Sequence, residues 1–179
     1  FTTALTNARA TTTLNVNGLA TSESSAMTLE TSVVAAADGA ADTLNLVLGT
    51  ATASSGADNL TAAAGKIDHS LTASDAETIN VTSQGGANLV NDIDAASLTT
   101  LNVSGGKSLS MTSLTNTTLL ATVDASGLTG TAALVMGTNA STTAGTYTGS
   151  AGADTLTGGT KADTITGGAG IDTISGGAG

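Results

Sequence analysis

The stretch that decides the fold reads Gly-Ala-Asp-Thr-Leu-Thr-Gly-Gly-Thr (152–160), Lys-Ala-Asp-Thr-Ile-Thr-Gly-Gly-Ala (161–169) and Gly-Ile-Asp-Thr-Ile-Ser-Gly-Gly-Ala (170–178). Asp154, Asp163 and Asp172 recur every nine residues, and a large aliphatic residue follows each aspartate by two positions. This is the pattern Gly-Gly-x-Gly-x-Asp-x-U-x, in which U is a large aliphatic residue. Three copies in register predict a parallel β-roll, in which each copy forms a short strand and a glycine-rich turn.

The period of nine fixes which residues become neighbours in such a roll. Two copies complete one coil, so Asp154 and Asp172 lie on the same edge in neighbouring coils, about 4.8 Å apart along the stack. Asp163 falls on the opposite edge. The aliphatic residues Leu156, Ile165 and Ile174 point inward and form a thin core from both sides.

A divalent cation is the expected partner of these turns. Two carboxylates about 5 Å apart repel each other by roughly 1 kcal/mol even in water, so the metal-free roll is marginal. Calcium accepts six to eight oxygen ligands in a tolerant geometry, whereas magnesium demands a stricter one. Glycine permits the positive φ that aims carbonyl groups at one point. The candidate calcium-binding residues are Asp154, Asp163, Asp172, Gly149, Gly152, Gly158, Gly167, Gly168, Gly170 and Gly176. Binding and folding then form one equilibrium.

The copies are not equal. Residues 167–172 carry the full turn, whereas Ser150 replaces a glycine in 149–154 and Lys161 replaces one in 158–163. The positive charge of Lys161 weakens the site of Asp163, so the best single site pairs Asp154 with Asp172. The partner turn for Asp163 begins at Gly176, and the sequence stops before its aspartate.

Two upstream stretches resemble degenerate copies of the same turn. They are Gly-Ala-Ala-Asp-Thr-Leu (39–44), which contains Asp42, and Gly-Ala-Asp-Asn-Leu (56–60), which contains Asp58. Each is either a further calcium site or an ordinary Gly/Asp turn.

A second repeat occupies the upstream part of the chain. Its copies are Thr-Leu-Asn-Val (13–16), Thr-Leu-Asn-Leu (43–46), Thr-Ile-Asn-Val (78–81), Thr-Leu-Asn-Val (100–103) and the weaker Thr-Val-Asp-Ala (122–125). Apolar and polar residues alternate in each, as in a half-buried strand, and the spacing suits coils of a parallel β-solenoid. We therefore predict an all-β fold, with an irregular solenoid over 1–146 and a β-roll over 147–179 that continues beyond the chain end. One short helix is predicted over 22–37 from its good helix formers.

Composition and charge narrow the function. Fourteen acidic against four basic residues give a net charge of −10, so a nucleic-acid partner is not expected. No apolar stretch is long enough to span a membrane. The chain has no cysteine and begins at Phe1 rather than Met, and we expect it to be a segment of a longer protein whose targeting signal lies elsewhere.

The nonapeptides over 152–178 resemble the RTX (repeats-in-toxin) family. The resemblance implies calcium-filled β-rolls and type I secretion, with folding in calcium outside the cell. Phrases such as Thr-Leu-Asn-Val-Asn-Gly (13–18) and Ala-Glu-Thr-Ile-Asn-Val-Thr (76–82) are similar in style to RTX-type bacterial surface-layer proteins, such as that of Caulobacter. In that family calcium drives assembly of a two-dimensional coat.

An enzymatic function is not expected. His69, the one histidine, is flanked by Asp68 and Ser70, and neighbours on a strand point to opposite faces, which makes a poor catalytic triad. No Gly-x-Ser-x-Gly or His-Glu-x-x-His motif occurs. Asp92 and Asp94 share a face if extended, but sugar-binding aromatic residues are lacking.

The sequence therefore predicts an extracellular, structural surface-layer segment that self-associates at the bacterial cell surface after calcium-dependent folding. An anchor to cell-surface polysaccharide would lie outside this segment. The alternatives are an adhesin segment of a large RTX surface protein and the secretion and folding region of an RTX hydrolase.

Overall fold

The computed structural model describes residues 11–16, 42–48 and 70–179. Within them the chain forms β-strands and no α-helix. The strands are β1 (Thr11–Val16), β2 (Thr43–Leu48), β3 (Ser70–Thr72), β4 (Thr78–Ser83), β5 (Asn88–Asp94), β6 (Thr100–Gly105), β7 (Leu109–Thr115), β8 (Thr122–Leu128), β9 (Leu134–Asn139), β10 (Thr146–Thr148), β11 (Thr155–Thr157), β12 (Thr164–Thr166) and β13 (Thr173–Ser175). The helix predicted over 22–37 lies outside the described residues.

All these strands pair in parallel in two sheets. Sheet 1 has the order β1-β2-β4-β6-β8-β10-β12, and sheet 2 has the order β3-β5-β7-β9-β11-β13. From β3 onward the chain alternates between the sheets, so that each coil contributes one strand to each. The predicted all-β parallel solenoid leading into a β-roll is confirmed.

The register of sheet 1 follows the spacing of the upstream repeat, with one exception. Thr43 pairs with Thr78, Thr78 with Thr100, and Thr100 with Thr122. The exception is β1, where Thr11 rather than Thr13 pairs with Thr43. A shift of two residues preserves the apolar/polar alternation of the sequence relative to β2 because the strand period is two, and Thr-Thr-Thr (11–13) supplies threonine at either position.

The core lies between the two sheets. In sheet 1 one residue of each strand from β2 to β12 stacks in register, and this column is Leu44, Ile79, Leu101, Val123, Tyr147 and Ile165. The first five are fully buried and Ile165 is partly buried against them. Leu156 is fully buried as predicted, but Ile174 is 50% exposed. Ile174 pairs with Leu156 in parallel register and so lies on the inward face, as predicted. It is half exposed because β13 is the last described strand of sheet 2 and no further described strand covers it.

Coil length changes where the upstream repeat gives way to the nonapeptides. Thr122 pairs with Thr146, 24 residues away, whereas Thr146 pairs with Thr164, 18 residues away. The two sheets run without interruption past residues 146 and 147. The proposed division into 1–146 and 147–179 therefore coincides with a change of coil length, and as a domain boundary it stays a prediction.

A ladder of asparagines ties neighbouring coils together on the outer face of sheet 1. The side-chain amide of Asn80 donates to Asn45 at 2.8 Å, and that of Asn102 donates to Asn80 at 2.9 Å. The side chains of Asn45, Asn80 and Asn102 are thus linked from one coil to the next. These side-chain contacts add to the backbone ladder and favour the observed register.

Tyr147 gives a first test of the packing. It is fully buried, and its hydroxyl oxygen has no hydrogen-bond partner among the described residues. An unsatisfied buried hydroxyl costs about 1–3 kcal/mol, so Tyr147→Phe is expected to raise the free energy of unfolding by about 1 kcal/mol. Tyr147→Ala, the cavity control, is expected to lower it by about 3–5 kcal/mol. Urea denaturation in calcium measures both, and a destabilised Tyr147→Phe variant would contradict this account of the core.

Candidate metal centre

The turns of the nonapeptides lie on two edges of the solenoid. Edge 1 joins strands of sheet 1 to strands of sheet 2 and carries the turns 149–154 and 167–172. Edge 2 joins sheet 2 back to sheet 1 and carries the turn 158–163 and the residues 176–179. Asp154 and Asp172 share edge 1, where the backbone N–H of Asp154 donates to Oδ1 of Asp172 at 2.9 Å. Asp163 lies on edge 2, as the nine-residue period predicts.

Each aspartate carboxylate accepts a hydrogen bond from the coil that precedes it. Oδ1 of Asp154 accepts from the N–H of Leu134 at 2.5 Å, and Oδ1 of Asp163 accepts from the N–H of Gly145 at 2.7 Å. The contact of Asp172 with the N–H of Asp154 repeats this pattern. Charge-assisted hydrogen bonds of this kind are among the stronger ones in proteins. The aspartate carboxylates therefore link neighbouring coils by hydrogen bonds to backbone N–H groups, in addition to any cation that they bind.

The second carboxylate oxygen closes the turn that contains the aspartate. Oδ2 of Asp154 accepts from the N–H of Ser150 at 2.6 Å, and Oδ2 of Asp163 accepts from the N–H of Gly159 at 2.8 Å. Both donors stand four residues before the aspartate. Sequence reasoning missed these contacts, although the constant spacing from the second turn position to the aspartate was a signal for them.

Oxygen atoms of two coils converge on the space beside the first glycine of a turn. A Cβ atom at Gly158 would lie 2.5 Å from the carbonyl oxygen of Gly176 and 2.6 Å from Oδ2 of Asp163. At Gly149 it would lie 2.7 Å from Oδ2 of Asp154 and would clash with the carbonyl oxygen of Gly167. The absence of a side chain therefore leaves a cradle lined by one carboxylate oxygen and one carbonyl oxygen on each edge.

This donor set fits calcium. The cradles offer hard oxygen ligands from carboxylate and backbone carbonyl groups, which calcium prefers. On edge 1 the ion would be held by the carboxylate of Asp154 and the carbonyl of Gly167, and Asp172 lies in the second of these two turns. On edge 2 it would be held by the carboxylate of Asp163 and the carbonyl of Gly176. A bound calcium would neutralise the carboxylates and link neighbouring coils.

The remaining glycines of the predicted set allow close stacking of the turns. Gly168 and Gly170 both have φ of 102°, a conformation that favours glycine. A Cβ on either would clash with a carbonyl oxygen of the coil before, that of Ser150 or Gly152 respectively. Gly152 itself lies against the carbonyl of Ala132, and Gly167 lies against the carboxylate of Asp172. Gly176 has no atom within 4 Å of the position of its missing Cβ.

Of the upstream candidates, only Asp42 lies in the described residues. It is buried directly before β2, and its N–H donates to Oε2 of Glu77, one coil further on, at 2.7 Å. Asp58 and His69 lie outside the described residues. No group of three His, Cys, Asp or Glu residues that could hold a metal occurs over 11–16, 42–48 and 70–179. The role of Asp42 stays a prediction.

Asp92 and Asp94 take part in contacts between coils. The hydroxyl of Thr115 lies 2.8 Å from Oδ2 of Asp92, and the side-chain amide of Asn116 donates to Oδ1 of Asp94 at 2.8 Å. Their partners thus come from the next coil of the solenoid. These contacts give both carboxylates a structural role in stacking.

Lys161 offers a test of the electrostatics of edge 2. Its side chain is exposed two residues before Asp163. Removing one exposed positive charge near a cation site improves the free energy of cation binding by up to about 1 kcal/mol. Lys161→Ala is therefore expected to tighten calcium binding by about two- to five-fold. Lys107→Ala is the matched control, because Lys107 is also exposed but lies on an upstream turn. Isothermal titration calorimetry at low salt measures both affinities, and equal changes would contradict a local effect.

Residues 148–179 match the family model of the RTX calcium-binding nonapeptide repeat (4 copies). No curated protein and no solved structure gives a significant match to the chain. The match agrees with the aspartate and glycine positions described above and identifies the C-terminal turns as calcium-binding motifs. None of the described residues forms a helix that is long and apolar enough to cross a membrane.

Proposed function

We propose, on the premise that residues 148–179 are RTX calcium-binding repeats, that this chain is a segment of a secreted structural protein of the surface-layer type. Calcium orders its C-terminal coils, and the ordered rod then self-associates on the cell surface without catalysing a reaction. The observation that carries the proposal is the convergence of carboxylate and carbonyl oxygens from two coils beside Gly149 and Gly158.

The C-terminal coils have less to stabilise them than the upstream coils. Strands β10 to β13 are three residues long, whereas β4 to β9 have six or seven. Each of these short strands carries one inward apolar residue, and the four are Tyr147, Leu156, Ile165 and Ile174. A coil with so little apolar burial cannot easily offset the entropy of ordering its backbone. A cation that links two turns supplies the missing stabilisation, and binding then drives folding.

The upstream solenoid supports a structural role. The outer face of sheet 1 carries a threonine in register on every strand from β2 to β12, namely Thr43, Thr78, Thr100, Thr122, Thr146 and Thr164. Beside this row lies the asparagine ladder. A solenoid of this kind is a quasi-one-dimensional rod with repeated faces, and strand edges at the ends of such rods are natural sites of association. Regular, repeated surfaces suit a lattice.

Electron microscopy of the purified chain tests the lattice directly. In calcium we expect ordered sheets or tubes, preceded by a rise in light scattering. In EGTA or in magnesium alone we expect dispersed particles. A chain that binds calcium and stays monodisperse at high concentration would exclude lattice formation by this segment and would favour an adhesin.

A further inference from the structure

Ser150 places a buried side chain at the second position of a calcium-binding turn, where the repeat pattern has glycine. Ser150 is 5% exposed and Asp154 is 1% exposed. The Ser150 hydroxyl oxygen lies 2.8 Å from the carbonyl oxygen of Ala132, 2.9 Å from Oδ2 of Asp154 and 3.0 Å from its Oδ1. It also accepts the N–H of Gly152 at 3.0 Å. One hydroxyl thus fills a pocket between the turn 149–154 and the coil before it.

On the side of the turn that faces the upstream coil, the Asp154 carboxylate is bound by groups of the protein itself. A buried carboxylate is costly unless hydrogen bonds or an opposite charge compensate it. Here the N–H of Leu134 binds Oδ1 at 2.5 Å, the N–H of Ser150 binds Oδ2 at 2.6 Å, and the Ser150 hydroxyl is within reach of both oxygens. The side of the turn that faces the upstream coil is therefore sealed. Oδ2 also borders the cradle beside Gly149 and the carbonyl of Gly167, on the side of the downstream coil.

On edge 2, one half-coil earlier, a second buried serine makes similar contacts with the preceding coil and with its own turn. Ser141 is fully buried, its hydroxyl donates to the carbonyl of Leu120 at 2.7 Å, and it accepts the N–H of Thr143 at 3.2 Å. Eighteen residues after Ser141 stands Gly159, and eighteen residues after Ser150 stands Gly168. On both edges a buried serine thus occupies the position that the next coil gives to glycine.

We infer that Ser141 and Ser150 close a calcium-independent junction coil between the solenoid and the calcium-binding repeats. At this coil the serine hydroxyls and backbone amides provide the stabilisation that a cation provides further along. No cation is held between the turn 129–133 and the turn 149–154, and calcium binding begins on the downstream side of Asp154. The junction gives the repeats a preformed end on which each calcium-bound coil can be added. This inference rests on the proposed coupling of calcium binding to folding.

Hydrogen exchange with mass spectrometry on the whole chain tests the junction. In the parent protein, amides of residues 129–154 are expected to stay protected in calcium and in EGTA, whereas amides of residues 158–179 are protected in calcium alone. Ser150→Gly restores the glycine of the repeat pattern, so protection of 129–154 is expected to fall about ten-fold or more in EGTA and to return in calcium. Ser150→Ala removes the hydroxyl but keeps a Cβ, so calcium should not restore the protection. Ser126→Ala, at an exposed serine, is the control and should behave as the parent does.

The outcomes separate the junction from the proposed function. If residues 158–179 respond to calcium but 129–154 also lose protection in EGTA in the parent protein, the junction is wrong and calcium-coupled folding stands. A Ser150→Ala variant that behaves as the parent does would also overturn the junction. If residues 158–179 are indifferent to calcium, the proposed function is wrong and the junction falls with it.

Discussion

Replacement of Gly158 by alanine is expected to weaken calcium binding on edge 2 by about 10- to 100-fold and to prevent ordering of the last coil. The new Cβ would lie 2.5 Å from the carbonyl oxygen of Gly176 and 2.6 Å from Oδ2 of Asp163. Neither atom belongs to a long, flexible side chain that could move away. Overpacking of this kind costs about 1–3 kcal/mol, and each 1.4 kcal/mol is about a factor of ten in affinity.

Gly176→Ala is the matched control for this prediction. Gly176 opens the next turn on the same edge, its φ is not positive, and its missing Cβ has no atom within 4 Å. The replacement leaves the carbonyl oxygen of residue 176, the candidate ligand, in place and is expected to change calcium affinity by less than about two-fold. Isothermal titration calorimetry on the 179-residue chain measures both variants. Equal losses of affinity would show that the space beside Gly158 is not part of the site.

Leu101→Ala is expected to produce a large loss of stability in the upstream solenoid. Leu101 is fully buried in β6 and stacks in register between Ile79 and Val123. Truncation of a buried leucine costs about 2–5 kcal/mol, because it removes apolar contacts and leaves a cavity. Calcium affinity should change little, since β8 and β10 separate β6 from β12 in sheet 1. Chemical denaturation in saturating calcium measures the stability.

Leu119→Ala is the control, because it makes the same leucine-to-alanine change at an exposed position. Leu119 lies between β7 and β8 and is 50% exposed, so its truncation is expected to cost less than about 1 kcal/mol. If both variants lost the same stability, the stacked column in sheet 1 would not be the core of the solenoid.

Sheet 1 and the nonapeptide strands of sheet 2 could be predicted from the sequence, whereas the upstream strands of sheet 2 could not. The upstream copies that begin at Thr43, Thr78, Thr100 and Thr122 all form strands of sheet 1, because each alternates strictly between apolar and polar residues. In sheet 2 the alternation breaks. The buried residues of β5 are Asn88, Val90 and Ile93, and those at the paired positions of β7 are Leu109, Met111 and Leu114. In each strand the first two buried residues are two apart and the last two are three apart, so a search for a strict period of two fails in both strands. The same two-then-three spacing in both strands was the signal that could have revealed them.

The positions of the aspartates were predictable, but their contacts were not. The period of nine assigns Asp154 and Asp172 to one edge and Asp163 to the other. The donor to Oδ1 of Asp154 is Leu134, twenty residues back rather than eighteen, because the preceding coil is longer. In the sequence Ser150 was only a departure from the glycine pattern. Its role depends on the carbonyl of Ala132, which the fold alone brings next to it.

A calcium titration followed by far-UV circular dichroism, with magnesium as the control ion, tests the central claim most directly. Calcium-coupled folding predicts a β signal in EGTA from the upstream solenoid and a cooperative further gain of β signal with calcium, but not with magnesium. A spectrum that is already complete in EGTA and indifferent to calcium would contradict it, and would show that the aspartate turns are held by their own hydrogen bonds alone.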